Sequence, residues 1–309
     1  MSLMKRLAAV ALSFVFAVGA VSAVAAQPAI WTVRSRTATV VLFGSIHLLP
    51  PGLDWLPPAL DAAMSKADEL WFEVPITALS EGQANSEARS RGALPQGRHL
   101  FSLVTPDEAE RLRRVAIALH CDPGAIDQMQ PWMAEFTLSV AEDASGGADA
   151  YNGVEEQIQS TAPPTLKRMS FETAKQQIGF LAGAPRRDQI ASLDWTLSQI
   201  DTDPDSYRRV VDEWLAGDTA ALQRDALQPL KAISPKLYER LIVMRNRAWA
   251  QALSARLRRG GALVVVVGVG HMVGPDSLPA LLRARGFSVE GPGLPETPTV
   301  VTQQNQTRQ

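Results

Sequence analysis

The chain has 309 residues, 46% of them hydrophobic, and a formal net charge of −2. That length supports a large core, and a slightly acidic balance gives no electrostatic footprint for nucleic acid or anionic lipid. Cys121 is the only cysteine, which excludes an internal disulfide.

Lys5 and Arg6 precede an uncharged apolar run from Leu7 to Val21, followed by Ala23-Val24-Ala25. This is the three-part pattern of a secretory signal peptide, with cleavage near Ala25/Ala26. The run is shorter than the about 20 apolar residues of a spanning helix, and no cysteine follows it to carry a lipid. Residues 1–26 are therefore expected to be a leader and 27–295 a single domain, periplasmic or secreted, with no membrane anchor after cleavage. Residues 296–309 read as a polar, disordered tail.

Ile30 to Val33 and Thr37 to Phe43 are rich in β-branched residues and flank a polar turn, so they predict a hairpin with the second strand more buried. Pro57-Pro58 opens a helix to about Ala67, and Glu69 to Val74 predicts the next strand. Residues 80–96 are polar and rich in Ser, Gly and Ala, and read as a mobile surface segment. Thr105-Pro106-Asp107-Glu108 predicts a helix start closed by a capping box, running to about His120. Cys121 at its end reads as a small buried hydrophobe. Further helices are expected from Pro131 to Ala144, Asn152 to Ser160, Glu172 to Leu181 and through 186–258, the longest from about Pro235 to Arg258. Thr165 to Ser170 predicts a short strand. The strand signal returns at Gly261 to Val267, followed by a helix from Asp276 to Arg285 and a strand from Phe287 to Glu290. Two strand-rich ends thus bracket a helical middle, about 105–258. The expected fold is α/β: a central mixed sheet formed by both ends and covered by helices from the middle.

Both ends carry the same device. Val40-Val41-Leu42-Phe43 runs into Gly44-Ser45-Ile46-His47, and Val264-Val265-Val266-Val267 runs into Gly268-Val269-Gly270-His271. Ligands of open α/β sheets sit off the carboxyl ends of the strands. Glycine lets the chain turn sharply there, and an imidazole can bind metal or carry a proton. Glu73 closes another apolar strand, where a carboxylate needs a partner to offset desolvation. His47, His271 and Glu73 together make a sensible set for a divalent metal. The competing readings are a structural histidine after each strand and a Glu73 that simply exits into solvent.

These residues, with Trp71-Phe72-Glu73-Val74, Gln130-Pro131-Trp132, Gly153-Val154-Glu155, Ser170-Phe171-Glu172-Thr173, Gln176-Gln177, Glu239-Arg240, Arg245-Asn246, Trp249 and Gly268 to Gly274, resemble the TraB/GumN family, relatives of the Tiki metalloproteases. The resemblance covers nearly the whole mature chain in order. It implies a fold shared with erythromycin-esterase and ChaN-like proteins, and a metal-dependent peptidase using Mn or Co rather than Zn on a peptide or protein substrate. It marks His47, His271 and Glu73 as metal ligands, and Glu73, Glu172, Arg245 and Asn246 as catalytic positions. Arg245 would stabilise an oxyanion, or pair with Glu172 to tie the helices to the sheet. The family more often has Gly-x-Asp where this chain has Gly153-Val154-Glu155.

Three rivals stand beside this reading. One is a non-catalytic envelope protein that binds a peptide, a haem-like ligand or a protein partner. Another is a dinucleotide site at Gly268 to Gly274, whose glycine spacing is off by one. The third is a serine hydrolase, which lacks its Gly-x-Ser-x-Gly elbow.

Overall fold

A computed structural model of the chain describes residues 27–294. The expected leader and tail lie outside the described residues. The strands are β1 (Ile30–Arg34), β2 (Ala38–Ser45), β3 (Glu69–Phe72), β4 (Lys167–Ser170), β5 (Gly261–Gly268) and β6 (Ser288–Glu290). They form one sheet in the order β4-β3-β5-β2-β1-β6. Strands β4, β3, β5 and β2 are parallel, while β1 folds back antiparallel on β2 and carries β6 on its far side. The sheet is mixed and is built from both chain ends, as the sequence implies. The middle of the chain contributes only the edge strand β4.

The apolar run of β5 follows from its place. It lies between β2 and β3 with an apolar core packed on each of its faces, and a strand buried on both faces has no polar alternation. Side chains of successive residues point to opposite faces. Val264 and Val266 join a core with Phe43, Trp55, Leu60 and Trp214. Leu263, Val265 and Val267 join a second core with Trp249, Leu253 and Leu257 on the helix Met244–Leu257. A third apolar cluster, away from the sheet, joins the helices Pro106–Ala118, Pro131–Ser145 and Arg186–Thr202 through Leu112, Leu138 and Leu193. The capping box before Pro106 forms as expected, with the Glu108 amide donating to Thr105 Oγ1 and the Thr105 amide to Glu108 Oε2.

Two expectations need correction. Most of the segment read as mobile is the helix Ala78–Gly92. Thr77 caps it by accepting from the Ser80 amide, Glu81 lies in its first turn, and Arg89 and Arg91 lie in its last. Those charges complement the helix dipole, and the helix packs on Ala174–Ala182. Its inward residues are small, Ser80, Ala84, Ala88 and Gly92, so no apolar stripe marks it to a reading by periodicity. The long helix expected from Pro235 to Arg258 is also not uniform. A wide π turn at Glu239–Val243 separates Pro235–Tyr238 from Met244–Leu257. Cys121 is half-buried beside the third cluster.

Candidate active site

Four parallel strands deliver the site. Register aligns Ser45 of β2 with Gly268 of β5, so the turns bearing His47 and His271 leave the sheet side by side. On the other flank of β5, Phe72 pairs with Ser170, which places Glu73 and Glu172 at the same edge. The Glu172 amide donates to the Glu73 carbonyl at 2.9 Å. His47, His271, Glu73 and Glu172 thus all follow carboxyl ends of strands, where such folds hold ligands. Arg245 and Asn246 come from the helix Met244–Leu257, just after the π turn. Wide turns of this kind recur at functional sites. Here the Leu241 carbonyl, inside that turn, accepts from Arg245 Nη1 at 3.2 Å.

Arg245 is the hub. It is 6% exposed, beside Glu73 at 6% and Glu172 at 7%. Its Nε donates to Glu172 Oε1 and Oε2 at 2.9 and 3.1 Å. Its Nη2 donates to Glu73 Oε2, and its Nη1 meets His271 Nε2 at 3.1 Å. The guanidinium also lies 4.7 Å from the Trp249 ring centre, a cation–π arrangement. Burial disfavours the charged Arg245, but the two carboxylates outweigh it and raise its pKa. Glu172 is raised: burial dominates over the opposing bonds from Arg245 and from Trp249 Nε1, at 2.9 Å.

Glu73 is held in the opposite direction. Burial alone would raise it, but His271, Arg245, His47 and the Gly268 amide together hold it well below the carboxylate range. His271 itself is lowered to about 3, chiefly by burial. It is therefore neutral at pH 7, where Arg245, His47 and the Gly268 amide, donating to Glu73 Oε1 at 2.8 Å, carry the hold on Glu73. Gln177 Nε2 adds a bond to Glu73 Oε2 at 3.0 Å.

Each imidazole is fixed through Nδ1. Asn246 Nδ2 donates to the carbonyls of His271 and Asp276, so its Oδ1 faces His271 Nδ1 at 2.7 Å and accepts. That leaves the Nε2 lone pair of His271 toward Arg245 and Glu73. His47 Nδ1 lies 2.8 Å from Glu155 Oε1, which also accepts from Ser45 Oγ. The charge of the Glu155 carboxylate raises His47 to about 9, with the enclosing cleft opposing. The His47 side chain is 60% exposed, so water screens this pair.

The Gly153-Val154-Glu155 segment is built onto His47. The Val154 amide donates to the Ile46 carbonyl at 3.1 Å. A Cβ on residue 153 would lie 2.0 Å from the His47 carbonyl oxygen, so only glycine allows this approach. The site lies at the floor of a cleft of about 660 Å³, lined among others by His47, Glu73, Glu155, Arg245, Gly268 and His271.

The structure brings together all six sequence-predicted site residues, but their roles divide. Glu172 and Asn246 are buried and do not line the cleft. Glu172 has its oxygens taken by Arg245 and Trp249, and Asn246 holds His271, so neither presents a polar atom to the cleft. Arg245 pairs with Glu172, one of the two arrangements expected for it, and it also lines the cleft. Sequence reasoning left Glu155 without a role and gave Gln177 none. The Gly-x-Glu spacing was the available signal for Glu155.

Residues 29–291 match the TraB/PrgY/gumN family. The chain belongs to that family. An uncharacterized protein named YbaP from Escherichia coli (strain K12) is 26% identical over 243 residues, 78% of this chain and 87% of its own length. A protein of the same name from Shigella flexneri gives the same figures. An uncharacterized Treponema pallidum (strain Nichols) protein is 20% identical over 267 residues, 82% of this chain and 80% of its own. No solved structure gives a significant match. Within this family fold, the dinucleotide rival fails on geometry. Val269–His271 is a single tight turn, and the next helix, Leu278–Ala284, starts too late to aim its N-terminus at the glycines.

The donor set fits a divalent ion in its chemistry. A methyl on Gly268 would lie 3.2 Å from Glu73 Oε1, 3.7 Å from His47 Nε2 and 3.8 Å from His271 Cδ2, so the three ring one small hollow. Both imidazoles have Nδ1 anchored to an oxygen, the support that metal-bound histidines have. Two carboxylates, Glu73 and Glu172, stand around the Arg245 guanidinium, and a third, Glu155, holds His47. As the side chains stand, no three His, Cys, Asp or Glu among the described residues enclose an ion. An ion on His271 Nε2 would have to displace Arg245 Nη1, which lies 3.1 Å from it.

Proposed function

We propose that this protein is an exported, metal-dependent peptidase whose ion is held by His47, His271 and Glu73, with Mn or Co preferred over Zn. The observation that carries this reading is the convergence of two Nδ1-anchored imidazoles and an ionised carboxylate on Gly268, at the floor of a cleft. The nitrogen and oxygen donors, without a thiolate, suit a borderline or harder ion. Such an ion supplies Lewis-acid activation of water and of the scissile carbonyl. The chain's own groups do the rest. Glu73, ionised at neutral pH, would give its remaining Oε1 lone pair, beside the Gly268 amide, to the ion, and would accept a water's proton through Oε2 once Arg245 turns to the carbonyl oxygen. Arg245, positive throughout the working range, opposes charge that develops on the carbonyl oxygen. Glu172 and Trp249 hold Arg245, while Asn246 and Glu155 hold the two imidazoles.

One observation favours the second reading, a non-catalytic envelope protein that binds a peptide, a haem-like ligand or a protein partner: Arg245 already satisfies Glu73 and His271 without an ion. The deciding experiment is Mn- or Co-stimulated cleavage of an unstructured peptide by the wild type and by Glu73→Gln. Cleavage lost in Glu73→Gln supports the peptidase. No cleavage by the wild type with any of Mn, Co or Zn leaves the binding protein as the better account.

A further inference from the structure

We propose that the cleft holds a large apolar side chain of an extended, uncharged stretch of the substrate peptide, and that Ala84 and Ala88 set the size it accepts. The proposal rests on the peptide reading above for the occupant, but not on catalysis.

The cleft is chemically divided. Every charged side chain on its lining belongs to the floor, and each is already paired there. Away from the floor, the walls are Ile76, Phe136, Ile178, Leu181, Leu230 and Leu241, with Asn85 the neutral polar exception. A charged substrate group lodged against those walls finds no partner and is desolvated at a loss. An apolar one gains from burial.

Three features fit an occupant rather than a leftover gap. Phe136 is 54% exposed although it lines the cleft. It sits on the helix Pro131–Ser145, whose other side is packed in the third apolar cluster. A volume of about 660 Å³ falls within the roughly 300–1,000 Å³ of small-ligand sites. Ala84 and Ala88 are one helical turn apart on Ala78–Gly92 and both line the cleft. Residues four apart share a helix face, so two small side chains open the space that larger ones would fill.

The test is equilibrium binding, read by fluorescence anisotropy with chelator present so that no cleavage occurs. The probes are end-blocked, fluorophore-labelled hexapeptides of Gly and Ser carrying Phe, Leu, Ala, Lys or Glu at one central position. The expected result is at least tenfold tighter binding of the Phe and Leu peptides than of the Ala, Lys and Glu peptides. Ala88→Trp should erase that preference and leave the Ala peptide within twofold. Phe136→Ala, at an exposed position that does not endanger folding, should weaken the Phe peptide several-fold. A flat series across the five peptides overturns the proposal, as does an unchanged Phe-peptide affinity in both variants. Dodecanoate binding that is sensitive to Ala88→Trp, together with a flat peptide series, overturns it in favour of a lipid chain. A preference that persists in a protein without peptidase activity refutes the catalytic reading and keeps this one.

Discussion

Arg245→Met removes the one permanent cation from the buried cluster while keeping an unbranched side chain of comparable length. Glu73 then loses its Nη2 partner and Glu172 both bonds from Nε. Breaking a buried pair by removing one partner costs roughly 3–5 kcal/mol. Glu73 keeps the Gly268 amide and Gln177, and Glu172 keeps Trp249, so the middle of that range applies. At a urea slope of about 2.5 kcal/mol per M, a loss of about 4 kcal/mol at pH 7 moves the midpoint by about 1.6 M. The loss should shrink toward pH 5. In the variant both carboxyls are buried without a cation, so their folded pKa values rise above the unfolded one, and the folded state takes up protons as pH falls. Urea unfolding of both proteins, followed by circular dichroism at pH 7 and pH 5, measures this. A loss below about 1 kcal/mol at pH 7, or one that grows toward acid, would refute the view that Arg245 neutralises both carboxylates.

Three further outcomes follow from the site and its supports. In the metal-free protein His47, raised to about 9 by Glu155, should titrate well above 6.5 in a nitrogen-detected NMR titration and drop back in Glu155→Gln; a bound ion would displace that proton. Because that pKa is raised in the fold, the pair's contribution is full below about 6.5 and disappears as pH rises through 9. Gly153→Ala should lower stability by about 1–3 kcal/mol through overpacking and shift the His47 resonances; unchanged resonances contradict the close approach of residue 153 to the His47 carbonyl. In the helical middle, burial outweighs Ser192 and Thr196 and raises Glu135 to about 7. A raised carboxyl destabilises the fold as pH climbs from 4.5 through 7, so Glu135→Gln should gain about 2–3 kcal/mol over the wild type at pH 8 relative to pH 4.5. Parallel stability curves from pH 4.5 to 8 contradict this.

The strands were readable because they obey simple burial rules. β5 is apolar throughout since both its faces are covered, and the hairpin β1–β2 shows its β-branched residues and polar turn directly. The two Gly-x-x-His turns were visible as repeated local patterns, and the parallel register of β2 and β5 explains why they meet. What stayed hidden is long-range or weakly patterned. The helix Ala78–Gly92 buries only small residues such as Ser80 and Gly92 and is recognisable only through its cap and its packing. The π turn before Arg245 has no composition of its own. Arg245 reaches Glu73 and Glu172 across 172 and 73 residues, and Glu155 reaches Ser45 across 110. No local spacing encodes such contacts, so the division between cleft-lining groups and the residues that hold them is set by the tertiary fold alone.

The most direct test of the central claim is metal content. The wild type, purified without chelator and loaded with Mn or Co, should retain bound ion after desalting, as measured by inductively coupled plasma mass spectrometry. The His47→Ala, His271→Ala double variant, shown by circular dichroism to be folded, should retain none. Equal metal content in the two folded proteins contradicts the assignment of these histidines as ligands.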